Sequence, residues 1–395
     1  MDRRKFIKNS ALASSVVLVP SFVKALDNTS FRTRGFKRLV IVQLTGGNDG
    51  LNSIIPYTND FYYKARPSLA IDSDIIRMND TLGLHQSLQP LERLWDDGHL
   101  CIINNVGYPN PNRSHFRSMD IWQSASDSDV YLQNGWIGRY LDKYGKKPYN
   151  AIEVNEALSL AMKGSYKNGI ATKDYRVLYN TSRDPFLNKI VEHYNDTHLS
   201  EHNLGYLYKT FIEAKSSAKY IYEETKVKLG TAEYPSHNFG KQLKTTAQFI
   251  NSGLDTSIYY TSLDGFDTHA SQANRQKRLL DIYAKGIEAF VDDLKSQDTF
   301  RDTLILTFSE FGRRVAQNAA NGTDHGTANN VFIIGENLKT QGFYNDLVSL
   351  EDLDENGDLK YEIDFRRIYA TILKKWLEAD DDLILNGAFQ TLDFI

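Results

Sequence analysis

The stretch Arg38-Leu39-Val40-Ile41-Val42-Gln43-Leu44, running into Thr45-Gly46-Gly47-Asn48-Asp49-Gly50, decides the fold class. A run of aliphatic and β-branched residues without apolar/polar alternation predicts a strand buried on both faces. The polar glycine-rich turn behind it predicts an abrupt exit at one edge of a sheet. The same pattern returns at Leu100-Cys101-Ile102-Ile103-Asn104, Ser257-Ile258-Tyr259-Tyr260-Thr261, Thr303-Leu304-Ile305-Leu306-Thr307-Phe308 and Asn330-Val331-Phe332-Ile333-Ile334. Amphipathic stretches lie between these runs, at Gln86 to Trp95, Phe116 to Gln123 and Gln272 to Leu294. Strands alternating with helical patterns predict a three-layer α/β/α sandwich around a mostly parallel sheet.

Two segments depart from the alternation. From about 185 to 249 the chain is charged and helix-forming, as in Glu213-Ala214-Lys215 and Glu223-Glu224-Thr225-Lys226, and poor in strand patterns. It reads as a helical insertion or cap, or as helices that simply cover the sheet. Asp364 to Glu378 reads as a closing amphipathic helix. No repeat or low-complexity linker interrupts residues 26–395, which are expected to form one domain. Asp352-Leu353-Asp354-Glu355-Asn356-Gly357-Asp358 opens like a calcium-binding loop, but its twelfth position is Ile363 instead of a bidentate glutamate, so a polar turn is expected.

The first 25 residues bound the destination. Arg3-Arg4 precedes Lys5-Phe6-Ile7-Lys8, a short apolar run from Ala11 to Pro20, and Val23-Lys24-Ala25, the order of a twin-arginine signal peptide with a mature start near Leu26. The apolar run is shorter than the roughly 20 residues that span a bilayer, and no later segment is long and apolar enough. A periplasmic or secreted, cell-surface location follows, with the twin-arginine translocase as partner during export and no integral membrane segment in the mature chain. One cysteine, Cys101, excludes an intramolecular disulfide framework. A net charge of −4 without a long basic run argues against nucleic acid as a partner.

Ligands of open α/β sheets gather outside the carboxyl ends of the strands, and polar residues concentrate there. Asp49 follows the first strand, His115 the second, Asp267 and His269 the third and Glu310 the fourth, while Asp324-His325 precedes the fifth. If Asp49, Asp267 and Glu310 share one crevice, each pair near 4 Å repels by about 4 kcal/mol at an effective dielectric of 20. A cation relieves that repulsion. With His269 and His325 the set offers oxygen and nitrogen ligands suited to zinc, manganese or iron, and Asp324 and His115 are alternative ligands. Each residue also has a plain reading: Asn48-Asp49-Gly50 as a tight turn, Asp267 as a helix cap, the histidines as structural. Ser114 precedes an amphipathic stretch, where free amides and the helix dipole favour an anion. Next to a metal it is a candidate nucleophile, with Arg113 as a bidentate anion donor. Its plain reading is an N-cap.

Several motifs together carry a resemblance. They are Gly46-Gly47-Asn48-Asp49-Gly50-Leu51-Asn52, Leu84-His85 with Leu88, Leu91 and Trp95, Val106-Gly107-Tyr108-Pro109-Asn110-Pro111-Asn112-Arg113-Ser114-His115-Phe116, Gly265-Phe266-Asp267-Thr268-His269, Ser309-Glu310-Phe311-Gly312-Arg313 and Asp324-His325-Gly326. With the signal peptide they resemble the secreted bacterial family catalogued as domain of unknown function 1501, over nearly the whole mature chain. That family is remotely similar to the alkaline phosphatase and sulfatase superfamily of metal-dependent hydrolases. The resemblance implies an alkaline phosphatase-like fold, a metal-binding Asp49, a nucleophilic Ser114, and metal ligands at Asp267, His269 and His325. Where the superfamily has an Asp-His pair after a strand, this chain has Glu310-Phe311, and Phe311 cannot coordinate a metal. An alternative alignment makes Asp324-His325 that pair. Since Asp267 and His269 are also closer in sequence than usual, one ion is expected in place of two.

Two function classes follow. The first is an exported metal-dependent hydrolase or transferase acting on a phosphate or sulfate ester, with a small-molecule or glycan ester as substrate. The second is a noncatalytic secreted binding or assembly protein that keeps the fold, for which Phe311 speaks. A carbohydrate-binding variant would use some of the 23 Tyr and 20 Phe, although such aromatics are more often core.

Overall fold

The computed structural model describes residues 35–185, 189, 203–226 and 232–395. The expected signal peptide, 1–25, and parts of the 185–249 segment lie outside the described residues.

The five apolar runs form the inner strands β1 (Arg38–Thr45), β2 (Leu100–Gly107), β5 (Ile258–Asp264), β6 (Thr303–Phe308) and β7 (Asn329–Ile334). Shorter strands β3 (Ala151–Glu153), β4 (Ile170–Ala171), β8 (Gly342–Phe343) and β9 (Ile363–Asp364) complete a sheet in the order β8-β2-β7-β6-β1-β5-β3-β4, with β9 also on β2. β1 runs parallel to β5 and β6, opposing Val40 to Tyr259 and to Ile305. β7 alone among these neighbours is antiparallel, to both β2 and β6.

That reversal decides which loops meet. Because β7 points the other way, the segment that enters it lies at the same sheet edge as the segments that leave the parallel strands. His325 is thereby brought to the edge that Asp49, His115, Asp267 and Glu310 occupy.

Period-two side-chain alternation sends Leu39 and Ile41 to one core and Val40, Val42 and Leu44 to the other. The first core is closed by α1 (His115–Ser124), α2 (Trp136–Tyr144) and α6 (Phe365–Thr371), through Ile121, Trp122, Trp136, Leu141 and Ile368. The second is closed by α4 (Asn238–Asn251) and α5 (Gln272–Ser296), through Phe239, Leu243, Ile250, Tyr283, Ile287 and Phe290. Each such buried side chain contributes about 1.5–3 kcal/mol. The result is a three-layer α/β/α sandwich with a mostly parallel sheet, and residues 37–395 form one compact unit.

In the middle segment, α4 packs directly on the sheet, whereas α3 (Asn203–Thr225) contributes Ala218 and Ile221 to buried positions near the β3 side. The aspartate-rich loop is a turn: Asp354 Oδ1 accepts from the amides of Asn356 (2.8 Å) and Asp358 (2.9 Å), and Gly357 takes φ +81°. No helix among the described residues is long and apolar enough to cross a membrane.

One buried acid has a consequence for stability. Glu153, at the end of β3, is 2 % exposed. Burial pushes its carboxyl up to about 7, against a 2.7 Å hydrogen bond from the Ser159 amide. A carboxyl raised above its unfolded value stabilises fully below about pH 4.3 and loses that contribution as pH rises through 7. The wild-type urea midpoint is therefore expected to fall between pH 5 and 8, by up to about 3 kcal/mol of stability. Glu153→Gln should flatten this dependence, and an equally steep curve in the variant would remove Glu153 as its source.

Candidate metal centre

Each contributing loop is shaped by backbone the sequence dictates. Gly46, at φ +116°, lets the turn after β1 press against the backbone of Phe266 and Asp267, where a Cβ would collide. Its amide donates to Glu310 Oε1 at 2.8 Å, tying the exit of β1 to the exit of β6. His325 is fixed by antiparallel bridging to Arg313, with Arg314 N donating to Asp324 O (3.0 Å) and Gly326 N to Gly312 O (2.9 Å). His115 is the first residue of α1, and Ser114 is its N-cap.

His115, Asp267 and His325 converge, offering one ligand atom each within 4.8 Å of one another. His115 Nε2 lies 3.4 Å from Asp267 Oδ2, and His325 Nε2 lies 3.3 Å from Asp267 Oδ1. His269 joins from the outer side, its Nε2 3.1 Å from Asp267 Oδ1 and 2.9 Å from His325 Nε2.

The other ring nitrogens decide the protonation. Nδ1 of His115 faces Glu310 Oε1 at 3.0 Å, Nδ1 of His269 faces Asp324 Oδ1 at 3.0 Å, and Nδ1 of His325 faces the Arg113 carbonyl at 2.7 Å. A carbonyl or an ionised carboxylate only accepts, so a ring that donates to it through Nδ1 presents, when neutral, its Nε2 lone pair on the Asp267 side. Lone pairs of two imidazoles 2.9 Å apart, beside a carboxylate, are held together only by a cation between them, either a proton or a metal ion. His115 Nε2 is buried and has no hydrogen-bond partner. Histidines whose outer N–H is held by a carboxylate or carbonyl are typical of metal ligands. The donor set therefore fits a divalent ion of the zinc, manganese or iron kind.

Charges around the group follow the same logic. Burial pushes the Asp267 carboxyl up, but the Arg313 guanidinium at 2.8 Å, with His325 and His115, overrides this and brings it down to about 2. The hydrogen bond to Glu310 raises the His115 imidazole, against burial. Burial lowers the His325 imidazole, which favours the neutral form that can coordinate. Hydrogen bonds from Asn318 and His269 lower Asp324.

Several expected roles are redistributed. Asp49 stays outside the group: fully buried, it pairs with Arg66 at 2.7 Å and accepts from Gln272. Glu310, expected to be a direct ligand, sits behind His115, its Oε1 taken by that ring and by the Gly46 amide. The repulsion foreseen among Asp49, Asp267 and Glu310 is met by Arg66, Arg313 and His115 in place of one shared ion. Of the two alternative ligands, His115 lies within the group and Asp324 behind His269.

The Arg113 guanidinium is committed to Asp358 and Asp354, while its carbonyl orients His325. Ser114 is exposed and its side chain makes no capping hydrogen bond. Phe311, where the resemblance led to the expectation of a histidine, is buried against two of the imidazoles, 4.9 Å from His115 and 4.6 Å from His325.

Two residues of the site escaped the sequence reading. Arg313, 2 % exposed, donates to the carbonyls of Gly46, Gly47, Phe266 and Thr323 as well as to Asp267, so one guanidinium sets three loops. Its place in Ser309-Glu310-Phe311-Gly312-Arg313 was the available hint. Arg66 follows the short helix Asp60–Ala65, and nothing local marks it as the partner of Asp49.

A family model described as protein of unknown function (DUF1501) matches residues 36–386. No curated protein matches the chain in sequence. Solved structures similar to it include the PsFucS1 sulfatase from Pseudoalteromonas sp., at 11 % identity and TM-score 0.41 over 94 % of this chain and 73 % of that one. The lipoteichoic acid synthase LtaP from Listeria monocytogenes is similar at 11 % identity and TM-score 0.35, over 79 % and 68 %. A protein in the alkaline phosphatase superfamily from Vibrio parahaemolyticus is similar at 11 % identity and TM-score 0.34, over 78 % and 62 %.

Proposed function

Starting from a chain that belongs to the DUF1501 family, we propose that it is an exported metal-dependent hydrolase or transferase of phosphate or sulfate esters, with one zinc, manganese or iron ion and Ser114 as nucleophile. The observation that carries this reading is the convergence of the Nε2 atoms of His115, His269 and His325 on Asp267, each ring held from behind through its Nδ1. These four residues would hold the ion. Once bound there, a divalent ion supplies Lewis-acid stabilisation of charge on the oxygens of the transferred group and lowers the proton affinity of a nearby hydroxyl.

The chain's own groups do the rest. Ser114, exposed at the N-terminus of α1, stands one residue from the ligand His115 and in a position that favours an anion. Its Oγ attacks phosphorus or sulfur, its proton passes to solvent, and the ester alcohol departs with the bonding electron pair. Water or an acceptor alcohol then releases the group from the serine. Arg113, held by Asp354 and Asp358, orients His325 through its carbonyl instead of clamping the anion. The substrate class is a small-molecule or glycan ester, and the proposed route out of the cytoplasm is twin-arginine export to the periplasm or cell surface.

The test is elemental analysis of the mature protein purified from periplasm, followed by a screen of phosphate and sulfate esters. The expected result is near-stoichiometric metal, lost in a His115→Ala/His325→Ala protein, and hydrolysis that falls in Ser114→Ala to the level of the metal-free protein. A folded wild type that takes up none of the three ions would sink the reading in favour of a secreted binding or assembly protein.

A further inference from the structure

Behind Phe311 lies a partly open cavity of about 340 Å³, walled chiefly by Tyr108, Pro111, Phe311, Ala328, Leu359 and Tyr361. The segments that carry the metal ligands also carry its walls: Tyr108 and Pro111 precede His115, and Ala328 follows His325. The Phe311 ring packs against both imidazoles, at 4.9 Å and 4.6 Å, and lines the cavity as well.

Apart from the hydroxyl of Tyr361, a residue 36 % exposed, the polar side chains on the wall are already committed. Thr327 donates to the Leu359 carbonyl, Asp354 Oδ2 pairs with Arg113 and its Oδ1 with two amides, and Lys360 pairs with Asp352. The Tyr108 hydroxyl bonds Ser118 Oγ and the Asn112 amide. A polar occupant would lose its water hydrogen bonds without replacement at these groups, whereas an apolar one gains from burial. A cavity of about 150 Å³ holds one benzene, so this one has room for two fused rings. Phe116, next to His115, is 85 % exposed, a further apolar surface on the same helix terminus.

We propose that this cavity receives the apolar leaving group of the ester, an aryl or branched alkyl alcohol, while the charged head is handled at the His115, Asp267 and His325 group. This rests on the metal-dependent hydrolase reading. In the reaction the bond from the alcohol oxygen to phosphorus or sulfur breaks, the oxygen keeps the electron pair, and it takes a proton from water. The bulk of the alcohol stays in the cavity throughout.

The experiment measures binding of 1-naphthol, which carries no head group, to the mature wild type and to Tyr361→Ala, which opens the wall, and Pro111→Trp, which fills it from a loop. Metal content is measured on the same samples. Saturable one-site binding to wild type, weakened at least about tenfold in a folded variant with metal content unchanged, is the expected result. Wild type that binds 1-naphthol no tighter than the variants, or not at all, overturns the proposal while leaving the metal centre standing. Naphthol bound to a protein that takes up no metal overturns the hydrolase reading, and the leaving-group assignment falls with it.

Discussion

An Asp267→Ala protein is expected to purify folded but without the metal ion proposed for the His115, Asp267 and His325 group. Asp267 touches all three Nε2 atoms of the group, so its loss takes away both the anionic ligand and the point on which the rings converge. Folding should survive, because Asp267 is itself exposed and the Arg313 guanidinium keeps four carbonyl acceptors without it. Groups behind the ligands act more weakly: Asp324→Ala, which releases the His269 ring, should cost about 10 to 100-fold in metal affinity. Asp267→Ala should exceed that range, read as stoichiometry after dialysis and as dissociation constants from chelator competition. Stoichiometric metal retained by Asp267→Ala would show that the ion is held elsewhere. Asp49→Asn, whose carboxylate is committed to Arg66 and not to the group, should leave the stoichiometry of the folded protein unchanged even where it lowers stability.

Arg66→Met should be among the most destabilising single changes in the chain, at about 3–5 kcal/mol. Both Arg66 and Asp49 are fully buried, so the variant leaves an uncompensated carboxylate in the interior. It also strips the Val315 and Arg314 carbonyls of their donor, at 2.8 Å each, and leaves Asn52 Oδ1 only the Tyr62 hydroxyl. Adding Asp49→Asn removes the stranded charge, and the double variant should recover a large part of the loss even though the pair stays broken. Urea unfolding of the four proteins of the cycle measures this. A single-variant cost below about 1 kcal/mol, the range of exposed pairs, would mean that water reaches Asp49 in solution.

These two expectations separate what could be read along the chain from what could not. The five strands were legible because burial on both faces leaves a local signature, an unbroken apolar run such as Val40-Ile41-Val42. Helices α1 and α5 were legible because 3.6-residue periodicity is equally local. The candidate residues could be picked out because the carboxyl ends of parallel strands are where a chain leaves the apolar interior, and Asp49, Asp267 and Glu310 all stand there. The helices after 185 were read as such, but whether they cover the sheet is a question of packing: α4 does so through Phe239, Leu243 and Ile250.

What the sequence determined by itself was the set of elements and the edge at which polar chemistry collects, since both follow from the spacing of apolar and polar residues along the backbone. The tertiary structure alone decided the division of labour at that edge. Only the reversed direction of β7 carries His325 to the same side as His115. Only through-space neighbours assign Glu310 and Asp324 to the backs of imidazoles and give Asp49 to Arg66. The physical reason is that electrostatic pairing and the choice of imidazole tautomer depend on distances of about 3 Å between atoms far apart in sequence, His115 and Glu310 being 195 positions apart, and no local pattern encodes such distances.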